Sequence, residues 1–269
     1  MFLNIRGLKS KLAAVDELLE TENPTILCLV ETHLKKEDII EFNGYTLFRN
    51  EREVKDGGGI LVAIKNELKN VTVEVEQEKE DGESIWLVID NKYKRWGTAI
   101  RIGVIYAPQE SRTKISEYKK MYEKINEQVR MGKDKNQKIL LMGDFNCKIG
   151  LEIEGNKEDV TKSAKYLLKL ENKQNLRILN RSQACTGKWT RVEGSCKSIL
   201  DYVLISKDDE KHLKKMVVDE EKQYSPSGLS DENEEVHSDH NTIICELDWL
   251  IDQSKKERRK KVITKLDSC

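Results

Sequence analysis

Apolar residues in this chain cluster in short runs of strand length, separated by polar segments. Several of these runs are continuous rather than alternating, which is typical of strands that are covered on both faces. Residues 71–76 instead alternate strictly between apolar and polar, as a strand with one exposed face does. The other apolar runs that we predict to be strands are residues 25–30, 59–64, 85–89, 100–106, 139–142, 199–205 and 242–247.

Three segments show the helical period, which places apolar side chains on one face. The first runs from residue 10 to about residue 20, and Ser10 is its predicted N-terminal cap. The second covers residues 111–131, and the third covers residues 159–172. The side chains of the second helix that we expect to face inward are Ile115, Tyr118, Tyr122, Ile125 and Val129.

The order of these elements predicts an α/β fold. Strands outnumber helices, and many strands are close enough in the chain to pair as hairpins. This pattern favours two mixed, mainly antiparallel sheets that pack face to face, with helices outside. Only three prolines occur among the 269 residues, and no Gly/Ser linker divides the chain. We therefore predict one domain over residues 1–249, followed by a basic tail over residues 250–269.

The composition of the chain argues against a membrane protein, a secreted protein and a zinc-binding protein. No apolar stretch approaches the roughly 18–20 residues that span a bilayer, so we expect no membrane segment. No charged segment precedes an apolar core, as it would in a secretory signal. The six cysteines form no C-x-x-C pair, which argues against zinc and favours a reducing, intracellular compartment. Cys28 and Cys245 lie inside apolar runs and are expected to be small core residues.

The net charge bears on nucleic-acid binding, and the short segment before Asn4 bears on the length of the reading frame. The formal net charge is −1, which counts mildly against a nucleic-acid binder, although acidic runs and a basic tail cancel within that value. Only three residues precede Asn4, which leaves little room for the first strand. We therefore expect the chain to start inside a longer reading frame.

Polar side chains stand where apolar strands end and loops begin, which is where enzymes built on sheets usually keep their catalytic groups. They are carboxylates, amides, one phenol and one imidazole. Such groups suit an oxygen-preferring divalent cation and a phosphate ester. The candidate positions are Asn4, Glu31, Tyr106, Asp144, Asn146, Asp201, Asp239 and His240.

The strongest local signal is the segment Gly143-Asp144-Phe145-Asn146, which follows a run of buried aliphatic residues. On an extended chain, a spacing of two puts Asp144 and Asn146 on the same side. A carboxylate there can accept a proton or orient a water molecule, and an amide can donate to a phosphate oxygen. An Asx turn that only closes the strand explains the same residues about equally well.

A second signal combines a histidine with acidic residues. His240 directly follows Asp239 at a loop-to-strand junction, and Asp201 is predicted to lie inside an apolar strand. A buried carboxylate needs a partner or a metal, and an imidazole is a natural partner because the carboxylate fixes its tautomer. The alternatives are a structural histidine and an aspartate that faces water at an edge. Glu31 and Asn4 suit Mg²⁺ as oxygen ligands, although a glutamate at a strand end is common.

Taken in order, these motifs resemble those of the endonuclease/exonuclease/phosphatase superfamily, which includes deoxyribonuclease I, exonuclease III and apurinic endonucleases. The resemblance runs from Asn4 to about Leu247. Within the superfamily, the chain is most similar to the endonuclease domain of LINE-type (non-LTR) retrotransposons. The segments that carry this likeness are Asn4-Ile-Arg-Gly7, Asp56-Gly-Gly-Gly-Ile60, and Trp189-Thr-Arg191 before Ser198-x-x-Asp201-Tyr202.

The resemblance implies a four-layered α/β sandwich like that of deoxyribonuclease I, with the active site at one end of the two sheets. It also implies hydrolysis of a phosphodiester with Mg²⁺, for which Mn²⁺ could substitute. Glu31 is then the expected metal ligand, helped by Asn4 and Asp239. The other implied roles are orientation of the attacking water or leaving oxygen by Asp144 and Asn146, donation to a phosphate oxygen by Tyr106, and phosphate contact or base catalysis by His240, held by Asp201.

Contacts to DNA phosphates are expected from Arg6, Thr190 and Ser198, because arginine and hydroxyl groups are normal phosphate partners. For Thr190 and Ser198, a strand hydroxyl that bonds to backbone is an equally good interpretation.

The function that the resemblance implies is a nick in double-stranded DNA with a 3′-hydroxyl and a 5′-phosphate. In a retrotransposon, that hydroxyl would prime reverse transcription at the target, with a reverse transcriptase domain following in the same chain and a nuclear location. Two alternatives stay open. One is a phosphatase or phosphodiesterase of the same superfamily that acts on a small phosphate ester. The other is a catalytically decayed nucleic-acid-binding domain, against which the filled catalytic positions argue.

Overall fold

The computed structural model describes residues 1–51, 57–68, 73–76, 84–89, 98–110, 114–150, 160–229 and 235–249. The helices are α1 (Leu12–Glu22), α2 (Ile115–Asp134) and α3 (Ala164–Lys173). The strands are β1 (Phe2–Asn4), β2 (Ile26–Val30), β3 (Tyr45–Asn50), β4 (Ile60–Lys65), β5 (Val73–Glu76), β6 (Ser84–Ile89), β7 (Ile100–Tyr106), β8 (Lys138–Asp144), β9 (Leu176–Ile178), β10 (Cys185–Thr186), β11 (Arg191–Glu193), β12 (Cys196–Ser198), β13 (Asp201–Ser206), β14 (Leu213–Val218), β15 (Ser227–Leu229), β16 (Glu235–His237) and β17 (Ile243–Leu247). The predicted basic tail, residues 250–269, lies outside the described ranges.

The strands form two large sheets and two small hairpins. The first sheet has the strand order β10-β14-β17-β1-β2-β4-β3, and the second has the order β5-β6-β7-β8-β13-β9. The pairs β1–β2, β10–β14 and β7–β8 are parallel, and the other pairs in these sheets are antiparallel. The hairpins are β11–β12 and β15–β16. Both sheets are therefore mixed and mainly antiparallel, as the sequence predicts.

The two sheets pack against each other through a layer of buried apolar side chains. Phe2 and Val62 of the first sheet belong to the same buried cluster as Leu87, Val104 and Met142 of the second. Cys28 lies fully buried in this layer, and Cys245 is partly buried against it, so both cysteines are the core residues that we expected.

The outer faces of both sheets are covered as well. Leu29 of the first sheet packs in a cluster with Val15 of α1. Leu141 of the second sheet packs in a cluster with Ile125 of α2 and Leu167 of α3. The result is helix, sheet, sheet, helix, which confirms the four-layered α/β sandwich. Burial of both strand faces is the physical reason for the continuous apolar runs.

The start of α1 differs from the prediction. Ser10 lies in a 3₁₀ turn at Lys9–Lys11, α1 begins at Leu12, and its first turn has no side-chain cap. The Ser10 cap is therefore wrong, because the turn runs directly into the helix: the backbone N–H of Lys11 donates to the Leu8 carbonyl. At the other end, Asn23 adopts a left-handed conformation and donates to the Leu19 carbonyl, a common helix ending.

Helix α2 confirms most of the predicted inward face. Tyr118, Tyr122, Ile125 and Val129 are buried, but Ile115 is 45% exposed, so that prediction is wrong. A helical side chain covers the turn that precedes its own Cα. Ile115 is the first residue of α2 and follows Lys114, whose backbone is extended, so α2 itself offers no preceding turn for its side chain to cover.

Several strands escaped the sequence analysis, and β3 and β14 are the longest of them. β3 and β14 carry charged or polar residues among the apolar ones, as in Tyr45-Thr-Leu-Phe-Arg-Asn50 and Leu213-Lys-Lys-Met-Val-Val218. Asp201 stands at the first position of β13 rather than inside the strand. None of the helices in the described ranges is long and apolar enough to cross a bilayer.

We predict that Gly143→Ala destabilises the fold through backbone contact. Gly143 of β8 pairs with Ile105 of β7, and a Cβ at this position would lie 2.1 Å from the Ile105 carbonyl oxygen. Overpacking typically costs 1–3 kcal/mol, and backbone cannot move aside as a side chain can. We expect a loss of about 3 kcal/mol in the free energy of unfolding, measured with urea.

The matched control is Gly194→Ala. Gly194 has a φ of +58°, and a Cβ there would meet no other atom within 4 Å. Gly194→Ala should lower the free energy of unfolding by about 1 kcal/mol, because only the left-handed backbone conformation opposes the new side chain. An equal loss in both variants would contradict the steric explanation.

Candidate active site

The ends of strands from both sheets meet at one edge of the sandwich. In the first sheet, Asn4 ends β1, and its pairing with Val30 brings it beside Glu31, the residue after β2. In the second sheet, Tyr106 ends β7 and pairs with Asp144 at the end of β8. Backbone pairing of the strands is therefore enough to bring the residues of each half of the site together.

The side chain of Asn4 joins the two halves. It is fully buried, and its Nδ2 donates to Glu31 Oε1 at 2.8 Å and to Asp144 Oδ2 at 3.0 Å. Its Oδ1 accepts from the backbone N–H of Arg6 at 3.2 Å. Because both ends of the amide are engaged, its orientation is fixed.

Backbone conformation holds Glu31 in place. Glu31 and His33 both have a φ of +53°, and Gly57, Gly58 and Gly59 all have positive φ. The N–H of His33 donates to the Gly58 carbonyl, and the N–H of Thr32 donates to the Gly59 carbonyl. A Cβ at Gly59 would lie 2.7 Å from Thr32 Oγ1, so the close approach of these two loops requires glycine there.

The electrostatics keep Glu31 ionised. Burial alone would raise its pKa, but hydrogen bonds from His33, Asn4 and Tyr106 outweigh that effect and hold the pKa at about 2. The Glu31 side chain is 17% exposed. An ionised, partly accessible carboxylate is the kind of group that binds a cation from solvent.

His240 and two aspartates form the centre of the cluster. His240 Nδ1 lies 2.8 Å from Asp201 Oδ2, so the structure shows the pairing that the sequence predicts. The other ring nitrogen, Nε2, lies 3.9 Å from Asp144 Oδ2. Burial opposes the charged imidazolium, but Asp201 and then Asp144 raise the pKa of His240 to about 9. Burial and the neighbouring Asp201 raise the pKa of Asp144 to about 7.

The segment after β8 forms the predicted Asx turn, and the catalytic roles of Asp144 and Asn146 stay predictions. The backbone N–H of Asn146 donates to Asp144 Oδ1 at 2.9 Å, which is an Asx turn. Asn146 has a φ of +45°, and its side-chain nitrogen donates to the Ala107 carbonyl at 2.7 Å. The turn therefore aims Asp144 into the cluster, whereas the Asn146 amide is bonded to the loop after β7.

Asp239 lies between two arginines. Its Oδ1 is 2.9 Å from Arg6 Nη1, and its Oδ2 is 2.6 Å from Arg191 Nε. Burial would raise the pKa of Asp239, but His240 and the two guanidinium groups keep it below its usual value. In this structure the negative charge of Asp239 is balanced by the two arginines. The role of Asp239 as a metal ligand stays a prediction.

The three predicted phosphate partners have different surroundings. Thr190 is fully buried, and its hydroxyl oxygen accepts from the backbone N–H groups of Leu200 and Asp201. This is the structural alternative, and it fixes the start of β13. Ser198 is partly buried in the β11–β12 hairpin, and the Arg6 side chain is 49% exposed.

Two contributors, His33 and Ser238, were not among the candidate site residues. His33 Nε2 lies 3.6 Å from Glu31 Oε2, and its spacing of two from Glu31 was the available signal. Ser238 is buried; its Oγ donates to the Asn4 carbonyl at 2.5 Å and accepts from the His240 N–H at 3.1 Å. The segment Ser238-Asp239-His240 was one of the local signals, but no local pattern shows that the Ser238 hydroxyl contacts Asn4, 234 positions away.

The donor set fits a hard divalent cation. Ligand atoms of Asp144, Asp201 and His240 lie within 4.8 Å of one another, and Asn4 connects this group to Glu31. Asp201 Oδ1 is buried with no hydrogen-bond partner among the described residues. Carboxylate and amide oxygens are the ligands that Mg²⁺ prefers.

The sequence and fold define the class of protein. A family model described as the Endonuclease/Exonuclease/phosphatase family matches residues 1–231. The chain therefore belongs to this family, whose members hydrolyse phosphate esters with divalent metals.

Solved structures of low sequence identity share the fold. A 3′ phosphatase, NExo, from Neisseria, bound to a product DNA hairpin, is 18% identical with a TM-score of 0.68, covering 92% of this chain and 98% of that one. The endonuclease domain of TRAS1, a telomere-specific non-LTR retrotransposon, is 17% identical with a TM-score of 0.63, covering 92% and 96%. A mannosyl-6-phosphatase from Bacteroides thetaiotaomicron is 14% identical with a TM-score of 0.59, covering 92% and 98%. A comparison with curated proteins found no match.

We predict that Mg²⁺ stabilises the folded protein through Glu31. A ligand present at about 100 times its Kd adds about 2.7 kcal/mol to the free energy of unfolding, which raises the melting temperature. Glu31→Gln removes the charge and should abolish most of this metal-dependent shift, measured by differential scanning fluorimetry with and without Mg²⁺.

Glu20→Gln, on the exposed face of α1, is the control and should keep the full shift. A shift of the same size in Glu31→Gln would show that Glu31 does not hold the cation.

Proposed function

We propose that this protein is a Mg²⁺-dependent endonuclease that nicks double-stranded DNA and leaves a 3′-hydroxyl and a 5′-phosphate. The observation that carries the proposal is the continuous contact from Glu31 through Asn4 and Asp144 to His240 and Asp201. It supports a site in which an ionised carboxylate, a buried carboxylate and an oriented imidazole surround one reacting phosphate.

In this mechanism each side chain has one task. Asp201 holds His240 by Nδ1, which leaves Nε2 directed towards Asp144 and available to stabilise charge on a phosphate oxygen. Asp144, fixed by Asn4 and by the Asn146 turn, is placed to accept the proton of the attacking water. Tyr106 donates its single hydroxyl proton to Glu31 in this structure, and on substrate binding it would donate that proton to a second phosphate oxygen instead.

Glu31 would hold the cation, and Asn4, whose Nδ2 donates to Glu31 and whose Oδ1 accepts from the Arg6 N–H, would orient that carboxylate rather than ligate the ion as expected. A bound divalent ion supplies neutralisation of the charge that develops on the phosphate. Phosphate transfer depends largely on such charge stabilisation and on positioning, and the cluster offers both.

We further infer that the nick primes reverse transcription in a retrotransposon. Support comes from the Asn4-Ile-Arg-Gly7, Gly57–Gly59 and Trp189-Thr-Arg191 segments, and from the fold shared with the TRAS1 endonuclease domain. A reverse transcriptase domain in the parent chain and a nuclear location belong to the same proposal.

A small phosphate ester is the second candidate substrate. The fold shared with a mannosyl-6-phosphatase supports it, since the same catalytic cluster suits a monoester. A catalytically decayed nucleic-acid-binding domain is a weaker alternative. Each predicted catalytic position carries the expected type of side chain, and most of these side chains contact one another.

The experiment is a nicking assay on supercoiled plasmid with Mg²⁺. His240→Ala and Glu31→Gln should each lower the rate at least about a hundredfold, the scale for removing a catalytic group. His237→Ala is the matched control, because this histidine lies three residues away with a 46% exposed side chain. Phosphate release from a small monoester without nicking would favour the phosphatase, and equal activity of all variants would refute the site.

Arg6 provides a separate test of DNA contact. A protein loses about 0.9 in the slope of log K against log salt for each phosphate contact removed. Arg6→Gln should therefore make the salt dependence of DNA binding shallower by about 1, measured by fluorescence anisotropy. Arg130→Gln, on an exposed part of α2, should leave the slope unchanged. An unchanged slope in Arg6→Gln would exclude Arg6 from the DNA-binding surface.

A further inference from the structure

Lys11 fills the inside of the loop that follows β1. Its side chain is 1% exposed, and its Nζ donates to the carbonyls of Ile5, Arg6 and Gly7 at 3.0, 3.1 and 3.2 Å. An ammonium has three donors, and here all three have a carbonyl partner. Arg6 and Gly7 both have positive φ, so this loop has an unusual backbone that the lysine crosslinks.

Lys222 makes a similar set of contacts to the loop before β17. Its Nζ donates to the Ser238 carbonyl at 2.8 Å and to the His240 carbonyl at 2.6 Å. The loop that carries Lys222 is itself ordered by Asp219, whose carboxylate accepts from the backbone N–H groups of Gln223 and Tyr224. The hydrogen bonds from Asp219 thus fix the loop from which the Lys222 side chain extends.

The two lysine-bonded loops are also bonded to each other. Ser238 Oγ donates to the Asn4 carbonyl, and Arg6 forms an ion pair with Asp239. The first loop directly follows Asn4, and the second carries His240, so a shift of either loop changes the distance between the amide and the imidazole.

We propose that Lys11 and Lys222 are positioning residues that set the relative placement of Asn4 and His240 by crosslinking the backbone of their loops. Neither lysine contacts the reacting groups with its side chain. A compact ammonium with rotatable donors suits converging carbonyls, whereas an apolar side chain of the same length would leave those carbonyls unpaired. The inference rests on the proposed function only in assigning Asn4 and His240 to the reaction.

The kinetic test uses bis(p-nitrophenyl) phosphate with Mg²⁺, because this small phosphodiester does not depend on DNA binding. Lys222→Met and Lys11→Met should each lower kcat about 10- to 100-fold, the scale of a misplacement of about 1 Å, with KM changed less than about twofold. Lys222→Arg keeps the charge and several donors and should recover part of the loss. Lys215→Met replaces an exposed lysine on β14 and should leave kcat unchanged.

A second measurement does not need activity. In the metal-free protein, the ring resonances of His240 should shift in Lys222→Met, whereas those of His212, which pairs with Asp209 elsewhere, should not. A purely structural lysine would lower the melting temperature and leave both kcat and the His240 resonances of the folded protein as in the wild type. That result would overturn the proposal.

The two readouts separate the outcomes. If the wild type hydrolyses no phosphodiester, the proposed function fails, and the His240 resonances still decide whether Lys222 positions the ring. If Lys222→Met does not fold, Lys222→Gln takes its place, because its amide keeps two donors at shorter reach. Wild-type resonances in a folded Lys222→Gln would also count against the proposal.

Discussion

The buried amide of Asn4 is the contact on which the rest of the site depends. It donates to a carboxylate of each sheet, Glu31 and Asp144, and so connects the two halves of the sandwich at their polar end. Buried carboxylates are costly unless they accept hydrogen bonds. The packing of the two sheets and the geometry of the site therefore depend on each other. If one sheet slid past the other, a hydrogen bond from Asn4 to Glu31 or Asp144 would break.

Charge is distributed unevenly around this amide. Asp201 is matched by the imidazole of His240, and Asp239 is matched by two guanidinium groups. Glu31 is held mainly by neutral donors and by the partly exposed His33. The excess negative charge thus lies on the Glu31 side of Asn4, which is where an external cation would gain most. This imbalance agrees with the divalent-metal chemistry of the family.

The sequence predicts the parts of this protein that depend on local pattern. Buried runs such as those of β7 and β8, and polar residues at their ends, follow from periodicity alone. β3 and β14 were missed because Arg49 and Lys215 interrupt the apolar pattern. Lys11 is buried against all expectation for its type, and the partners of Asp239 come from positions 6 and 191. Such contacts are set by tertiary folding, so no window of sequence contains them.

Strand β1 pairs with β17, so that Phe2 lies opposite Ile243 at the centre of the first sheet. Contacts of such large sequence separation carry a high cost in loop-closure entropy, which slows their formation. On the ribosome, a partly synthesised chain would hold Asn4 and Glu31 without their imidazole. The Asn4 amide and the His240 imidazole can therefore come together only after almost the whole of residues 1–249 has been synthesised.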